Sequence, residues 1–186
     1  LSEALKSKFK KIWVAYDGEE ALHICRESYP DIVVSDIQMP RMNGYELCKH
    51  IKEDLEISHI PIILLTARND EESQIFGYKN GADAYLTKPF EVSILHTIIQ
   101  SQLKNRERMR TRYTEAGPLP QPQESTFSPA DEKFLKRLNK SITENLDNPQ
   151  MGVPFLCTEL GISRASLYNK LKVVTGMGAN DYITKL

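Results

Sequence analysis

Three polar residues of different chemistry each close a short apolar run of the chain. Asp36 ends the first run, Thr66 the second and Lys88 the third, at intervals of 30 and 22 residues. A carboxylate can attack a phosphoryl donor and become an acyl phosphate, while a hydroxyl and an ammonium group bind the oxygens of the transferred group. Such transfer depends mainly on positioning and charge neutralisation, and it usually needs Mg²⁺. The three residues therefore predict phosphoryl transfer if the fold brings them together.

The apolar runs before these residues are typical of buried strands. Residues 32–34, 62–65 and 84–86 are short, apolar and partly β-branched, which suits strands covered on both faces of a parallel sheet. Between the strands, apolar residues recur at helical spacing, for example after the turn at Asn43 and Gly44. This alternation predicts an α/β domain with right-handed crossovers. Side chains just past the carboxyl ends of such strands face a common crevice, where we expect the three polar residues to meet.

Three segments around these residues resemble the receiver domain of two-component response regulators. They are DIVVSDIQMPRMNG at 31–44, PIILLTA at 61–67 and GADAYLTKPF at 81–90. The resemblance implies that Asp36 is the phosphoacceptor, that Thr66 moves toward the phosphoryl group, and that Lys88 pairs with that group. It further implies that Tyr85 is the aromatic switch residue and that the peptide bond before Pro89 is cis.

The same resemblance implies a Mg²⁺ site beside the phosphoacceptor. The family holds the ion with the phosphoacceptor, here Asp36, with a backbone carbonyl, here that of Gln38, and with an acidic pair at the end of its first strand. The sequence begins after the place of that pair, so we expect the Mg²⁺ site to be incomplete. Asp17 and Asp83 are other acids of this part, and neither is expected to be a ligand.

The start of the chain indicates an N-terminal truncation of this domain. Residues 1–9 are typical of the end of a first helix, and residues 11–16 are predicted to be the strand that follows it. In the flavodoxin-like (CheY-like) strand order 2-1-3-4-5, the absent first strand lies between two others. The prediction is therefore a flavodoxin-like parallel sheet with its first strand missing. Because there is no initiating Met and the last residue falls inside a predicted helix, we expect a fragment of a longer polypeptide.

Charge, cysteine usage and hydropathy narrow the classes of function. Residues 1–128 carry 16 basic and 19 acidic residues, whereas residues 129–186 carry 8 and 6, so only the C-terminal part is mildly basic and suited to nucleic acid. Cys25, Cys48 and Cys157 have no paired spacing, which predicts reduced thiols in a cytoplasmic protein, the first two buried, rather than a metal or redox site. No apolar stretch approaches the length of a membrane span, so we expect no membrane contact.

Composition marks a domain boundary. A helix with an apolar stripe is predicted at residues 92–103, and the chain then becomes basic over residues 104–112. This basic run is either a solvated helix end and linker or a contact with DNA phosphates or a neighbouring subunit. Residues 114–130 are rich in Pro, Ser and Gln and suit an extended linker. The predicted division is a truncated receiver domain at 1–113, this linker, and a second domain at 131–186.

The second domain is predicted to be small and all-α. Apolar residues recur at helical spacing from Phe134 to Leu146, a second helix ends at Gly161, and Ser163 caps a third helix that ends at Gly176. Two helices joined by a short turn that contains glycine form a helix-turn-helix, whose second helix can enter the major groove of DNA.

This part resembles the first helix-turn-helix of AraC-type transcription regulators. The matching segments are LCTELGISRASLYNKLK at 156–172, TGM at 175–177 and NDYIT at 180–184. Members of that family carry a second helix-turn-helix after a connecting helix, within which this sequence stops, so we expect a C-terminal truncation. The helix that reads DNA is expected to expose Arg164, Ala165, Ser166, Tyr168, Asn169 and Lys172. Arg164 and Asn169 can read base edges, whereas Ser166, Tyr168 and Lys172 can hold phosphates. The alternative is the solvent side of a small helical bundle.

Together the two resemblances imply a phosphorylation-controlled transcription regulator that resembles the C-terminal part of a hybrid two-component protein. A histidine kinase, in the same polypeptide or a separate one, would phosphorylate Asp36, and DNA and a second copy of the chain are the other expected partners. The chain is not expected to be an enzyme beyond assisting its own phosphorylation and dephosphorylation. The rival interpretation is a pseudo-receiver, an interaction or dimerisation module that is never phosphorylated. An enzyme acting on other substrates is disfavoured because the sequence contains no substrate, water-activating or nucleotide-phosphate motif.

Overall fold

The computed structural model describes residues 2–67, 81–116 and 129–185, which form two compact units. The first unit comprises Leu1–Glu53 and Ile60–Lys104, and the second comprises Asp54–His59 and Asn105–Leu186. The short segment Asp54–His59 therefore belongs to the second unit, although its neighbours in the chain on both sides belong to the first.

A parallel sheet forms the centre of the first unit. Its strands are β1 (Val33–Asp36), β2 (Ile62–Thr66) and β3 (Ala84–Thr87), in the order β1-β2-β3. All five residues of β2 are buried, as expected for a central strand covered on both faces. The predicted parallel sheet is thus confirmed, and the three polar residues lie at the carboxyl ends of neighbouring strands.

Four helices accompany the sheet in the first two described ranges, and capping contacts fix the starts of two of them. They are α1 (Ser2–Leu5), α2 (Gly18–Ser28), α3 (Gly44–Glu53) and α4 (Val92–Ala116). Asp17 caps α2, because its carboxylate accepts a hydrogen bond from the Glu20 amide at 2.9 Å. Before α3, the Asn43 side chain accepts from the Glu46 amide while the Glu46 carboxylate accepts from the Asn43 amide, both at 3.0 Å, which forms a capping box.

The strand predicted at residues 11–16 is wrong. This segment has no regular secondary structure, and Val14 and Tyr16 are 51% and 80% exposed. A strand persists only where a neighbour takes up its backbone N–H and C=O groups, and within the described ranges no strand pairs with this segment. Its continuous apolar run predicts a strand, but no strand of the described residues supplies the pairing.

Apolar side chains fill both faces of the sheet in the first unit. One cluster consists of Leu5, Ile63, Leu65, Leu86, Leu95 and Ile99. Leu47, Cys48 and Ile51 of α3 are also fully buried. Cys25 and Cys48 are free thiols inside the unit, as predicted, and burial raises the pKa of each to about 12. Both cysteines are therefore protonated packing residues at neutral pH.

The second unit is helical. Its helices are α5 (Pro129–Thr143), α6 (Val153–Leu160), α7 (Arg164–Thr175) and α8 (Ala179–Lys185). A single core joins them, and its fully buried members include Phe134, Leu138, Leu156, Leu167 and Tyr182. The predicted extent of the first helix is too long, because α5 ends at Thr143 and Leu146 is exposed.

The turn between α6 and α7 forms at the residues that the sequence singles out. Gly161 ends α6 with a φ of 69°, a conformation that glycine adopts without strain. Ser163 then caps α7 by accepting a hydrogen bond from the Ser166 amide at 3.0 Å, and Gly176 ends that helix with a φ of 77°. These caps fix where the two helices start and stop.

The predicted linker is only partly within the described residues. Residues 114–116 belong to the end of α4 and residues 129–130 begin α5, so these positions are helical. Residues 117–128 lie outside the described residues. Among the helices of the described part, none combines the length and apolar character that crossing a bilayer requires.

Candidate functional site

Asp36 and Lys88 meet at the carboxyl end of the sheet. Asp36 is the last residue of β1, and Lys88 directly follows the last residue of β3, Thr87. The Lys88 ammonium forms an ion pair with Oδ2 of Asp36, and the Lys88 amide donates to the Thr66 carbonyl at 2.7 Å. Strand order therefore produces the contact, since the two flanking strands both pair with β2.

The Asp36 carboxylate is held on one side and open on another. Its Oδ2 faces Lys88, and its Oδ1 accepts a hydrogen bond from the Gln38 amide at 3.3 Å. The side chains of Asp36 and Lys88 are 41% and 42% exposed, so a small phosphodonor can approach the carboxylate from solvent. The adjacent ammonium can then bind an oxygen of the incoming group.

Thr66 lies at the end of β2 between these two groups along the sheet, but its hydroxyl points elsewhere. The residue is buried, and its Oγ1 donates to the Ala67 carbonyl at 3.2 Å. Tyr85 is half-buried in β3, in register with Leu64 of β2. The peptide bond between Lys88 and Pro89 is cis, in agreement with the resemblance.

The segment that follows Asp36 folds back tightly on the end of β1. The Gly44 amide donates to the Ile37 carbonyl at 2.9 Å, which closes the turn before α3. A Cβ atom at Gly44 would lie 2.3 Å from the Asp36 carbonyl oxygen and 2.9 Å from the Cα atom of Ile37. Only glycine allows this approach of the two backbones.

Replacing Gly44 with alanine is expected to destabilise the first unit. The new methyl group must displace backbone atoms rather than the end of a flexible side chain, which costs roughly 1–3 kcal/mol of unfolding free energy. Urea denaturation followed by far-UV ellipticity measures this change. Gly152→Ala is the matched control, because the nearest atom to its Cβ position lies 3.9 Å away. Equal losses in the two variants would contradict the tight approach at Gly44.

The described residues do not complete a Mg²⁺ site. Asp36 and the Gln38 carbonyl are present, but the described part of the chain contains no group of three acidic, histidine or cysteine side chains that could hold a metal ion. Asp17 caps α2 and pairs with Arg41, while Oδ2 of Asp83 accepts from the Ile62 amide at 2.7 Å. Both of these acids contact nearby groups of the first unit.

On α7, four of the six residues predicted to contact DNA are exposed. These are Arg164, Ala165, Asn169 and Lys172. Tyr168 is half-buried, and the Arg164 guanidinium lies 5.7 Å from its ring centroid. Ser166 is buried, so the prediction that it faces solvent is wrong. Its hydroxyl lies 2.7 Å from that of Ser163, because the third residue of the helix is drawn into the cap.

Sequence reasoning missed Lys170, a fully buried lysine of α7 that pairs with Asp131. A signal was available in the spacing. Lys170 lies three residues after Leu167 and four before Val174, so it shares the helix face of these two buried residues. A charged side chain on such a face needs a buried partner.

Comparisons with known proteins agree on the first unit. The family model of the response regulator receiver domain matches residues 1–100. Histidine kinase P4 of Formosa agariphila is 38% identical over 172 residues, which cover 92% of this chain and 12% of that protein. Transcriptional regulatory protein AfsQ1 of Streptomyces coelicolor is 35% identical over 119 residues, which cover 64% of this chain and 52% of that protein. The chain thus spans about an eighth of the first relative's length and about half of the second's.

Two solved structures have a similar fold. The receiver domain of a signal transduction histidine kinase from Syntrophus aciditrophicus has a TM-score of 0.52 and 27% identity, covering 68% of this chain and 90% of that one. The receiver domain of a sensor histidine kinase from Pseudomonas aeruginosa, solved with a magnesium ion in its active-site cleft, has a TM-score of 0.51 and 25% identity. That match covers 55% of this chain and 84% of the other.

Proposed function

Because the chain belongs to the response regulator receiver domain family, we propose that it accepts a phosphoryl group on Asp36 and thereby controls DNA binding by its C-terminal helices. The observation that carries the proposal is the ion pair between Lys88 and a half-exposed Asp36 at the carboxyl end of a parallel sheet. This arrangement joins a nucleophile to a fixed positive charge at the place where phosphoryl charge develops.

The transfer step uses groups of this chain. A carboxylate oxygen of Asp36 attacks the phosphorus atom of the donor, and the bond from phosphorus to the leaving group breaks; the leaving atom is an imidazole nitrogen in a phosphohistidine donor and an oxygen in acetyl phosphate. The Lys88 ammonium moves from the carboxylate to an oxygen of the phosphoryl group and balances its charge. The Thr66 hydroxyl can then turn from the Ala67 carbonyl to donate to another phosphoryl oxygen. Rearrangement at Thr66 and Tyr85 is the expected output of the site.

Mg²⁺ is part of the proposal, as the family and the Pseudomonas aeruginosa receiver domain suggest. Asp36 and the Gln38 carbonyl would hold the ion, which would neutralise charge on the phosphoryl group. Since the described residues do not complete the site, further oxygen ligands must come from outside them.

DNA binding is proposed for the helices of the second unit. The helices α6 and α7 are joined by a short turn with Gly161 and a capping serine, which supports a helix-turn-helix, and the resemblance of residues 156–172 suggests the AraC type. Arg164, Asn169 and Lys172 supply exposed donors along α7. The name of the Streptomyces coelicolor relative, a transcriptional regulatory protein, points in the same direction.

The proposed partners follow from the same comparisons. The Formosa agariphila relative is named a histidine kinase, which supports a kinase donor in the same polypeptide. A second copy of the chain is the proposed partner for DNA binding, since dimers match two half-sites. The division into a receiver domain at 1–113, a linker at 114–130 and a DNA-binding domain at 131–186 is part of this proposal.

A second candidate is the pseudo-receiver, which keeps the fold but takes no phosphoryl group. The incomplete set of Mg²⁺ ligands among the described residues favours it. The two candidates differ in whether a phosphodonor changes the protein at all.

Affinity for DNA with and without phosphorylation tests the proposed function. The whole chain is titrated with a pool of duplex DNA before and after treatment with acetyl phosphate and Mg²⁺. Phosphorylation is expected to shift the apparent affinity by roughly 5- to 150-fold, the usual range of coupling between two sites. If the phosphorylated chain, with its phosphoryl group verified by mass, binds DNA with the same affinity as the untreated chain, Asp36 does not control DNA binding.

Arg164→Ala is expected to weaken DNA binding by roughly 1–3 kcal/mol if this residue reads a base edge. Fluorescence anisotropy with a selected duplex measures the change. Lys136→Ala is the matched control, because Lys136 is an exposed basic residue of the same unit but lies on α5. An unchanged affinity in Arg164→Ala would remove this residue from the reading surface.

A further inference from the structure

A buried polar cluster lies inside the second unit. The Lys170 ammonium donates to Oγ of Ser58 at 2.6 Å and lies 3.0 Å from Oδ1 of Asp131. The Ser58 hydroxyl in turn donates to the same Asp131 oxygen at 3.0 Å. Lys170 and Ser58 are completely buried, and Asp131 is nearly so. The three side chains therefore form a closed set of charge-assisted hydrogen bonds away from solvent.

The three members come from distant parts of the chain. Lys170 lies on α7 and Asp131 lies on α5. Ser58 belongs to Asp54–His59, the segment between α3 and β2 that the second unit includes. Ser58 is separated from Asp131 by 73 residues and from Lys170 by 112. The second unit is thus completed by a segment that arrives from within the receiver sequence.

Two further contacts tie this segment to the helices. The side chain of Leu55 packs against the apolar core formed by α5, α6, α7 and α8. The Glu56 carboxylate accepts a hydrogen bond from the backbone amide of Ser163, the residue that caps α7, at 3.5 Å. The segment therefore contacts the N-cap residue of α7 and, through Ser58, Lys170 near the middle of that helix.

Electrostatics explain why the contact is specific. Burial lowers the pKa of Lys170, and the nearby carboxylates of Asp131, Asp54 and Glu56 act in the opposite direction. A buried ammonium group is tolerated only where its donors and its charge are satisfied. Asp131 supplies the largest compensating charge, and Asp54–His59 adds a hydroxyl acceptor from Ser58 and two further acidic side chains.

We propose that Asp54–His59 is the segment by which the receiver sequence restrains α7, with Ser58 and Glu56 as its contact residues. The inference rests on the proposed function in naming α7 the helix that reads DNA. Ser58 is followed after eight residues by Thr66, at the end of β2. The same short stretch of backbone therefore carries both a residue of the candidate phosphoacceptor site and a residue bonded to α7.

Hydrogen exchange of the α7 amides in the whole chain tests this restraint. Ser58→Ala removes the hydroxyl and leaves the Lys170 ammonium short of one acceptor, so exchange across residues 164–175 is expected to accelerate about tenfold. Ser101→Ala is the matched control, since Ser101 is exposed on α4 in the first unit. Unchanged α7 exchange in Ser58→Ala would overturn the proposal.

A second variant keeps the test decisive if Ser58→Ala does not fold. Glu56→Ala removes the contact at the start of α7 and one of the carboxylates that act on Lys170, so the largest acceleration of exchange is expected in the first turn, up to Leu167. If exchange in that turn equals wild type, Glu56 has no role in holding α7. If Ser58→Ala also fails to fold, the same result contradicts the restraint itself. Neither measurement needs DNA or phosphodonor, so failure of the proposed function would leave these outcomes interpretable.

Discussion

Asp36→Asn is expected to abolish phosphorylation of the chain by acetyl phosphate and Mg²⁺. The asparagine amide has nearly the shape of the carboxylate but is not a nucleophile, so no acyl phosphate can form. Intact-mass measurement should show the gain of one phosphoryl group in the wild-type chain and none in the variant. Treatment with hydroxylamine should remove the group from the wild-type chain, because an acyl phosphate is readily cleaved by it.

The same substitution is expected to leave the fold intact. The side chains of Asp36 and Lys88 are both about two-fifths exposed, and ion pairs of this kind contribute about 0–1 kcal/mol to stability. Asp31→Asn is the matched control, since Asp31 is an exposed acid just before the same strand. Persistent modification of Asp36→Asn would place the acceptor elsewhere, whereas an unmodified wild-type chain would support the pseudo-receiver.

The sheet and its site could be predicted because local patterns and one topological rule suffice for them. Asp36, Thr66 and Lys88 each follow an apolar run, and the carboxyl ends of parallel strands lie on one edge. The turn at Gly161 and the cap at Ser163 are local in the same way. The strands, the turn and the cap each depend on a few consecutive residues, and the strand order then brings Asp36 and Lys88 together.

The errors concern properties that depend on distant partners. The pattern of residues 11–16 is that of a strand, but pairing is decided by another part of the chain. Helical spacing predicts Ser166 on the solvent side, because that spacing does not reveal its contact with the Ser163 hydroxyl. The burial of Lys170 depends on Asp131 and Ser58, which no window of neighbouring residues contains.

Asp131→Ala is expected to cause the largest loss of stability, about 3–5 kcal/mol of unfolding free energy at neutral pH. Removing one partner of a buried ion pair leaves the other charge uncompensated, which is the costly change for such pairs. Far-UV ellipticity during urea denaturation reports mainly the helices, while fluorescence of Trp13, the single tryptophan, reports the first unit. The ellipticity transition should therefore shift more than the fluorescence transition.

The pH dependence of this loss distinguishes a buried charge from a simple cavity. Burial lowers the pKa of Lys170 below 10.5 in the folded chain, so between that lowered pKa and 10.5 the unfolded chain binds more protons. Stability from this group therefore rises with pH across that window. Without the attraction of Asp131 the pKa falls further, so the loss in Asp131→Ala should shrink as the pH rises from the folded pKa of Lys170 in the variant to that in the wild type, and stay constant from there to 10.5.

Two further variants settle the cause of the effect. Adding Lys170→Met to Asp131→Ala removes the uncompensated charge and should restore most of the lost stability, because apolar replacements of buried ion pairs are often neutral or stabilising. Glu132→Ala is the matched control, since Glu132 is the neighbouring acid on α5. Its ion pair with the largely exposed Lys136 is long, at 3.9 Å, so this variant should lose no more than about 1 kcal/mol of unfolding free energy. If Asp131→Ala loses no more than Glu132→Ala, Lys170 is not a buried cation held by Asp131. The ion pair would then contribute nothing to holding α7 on α5.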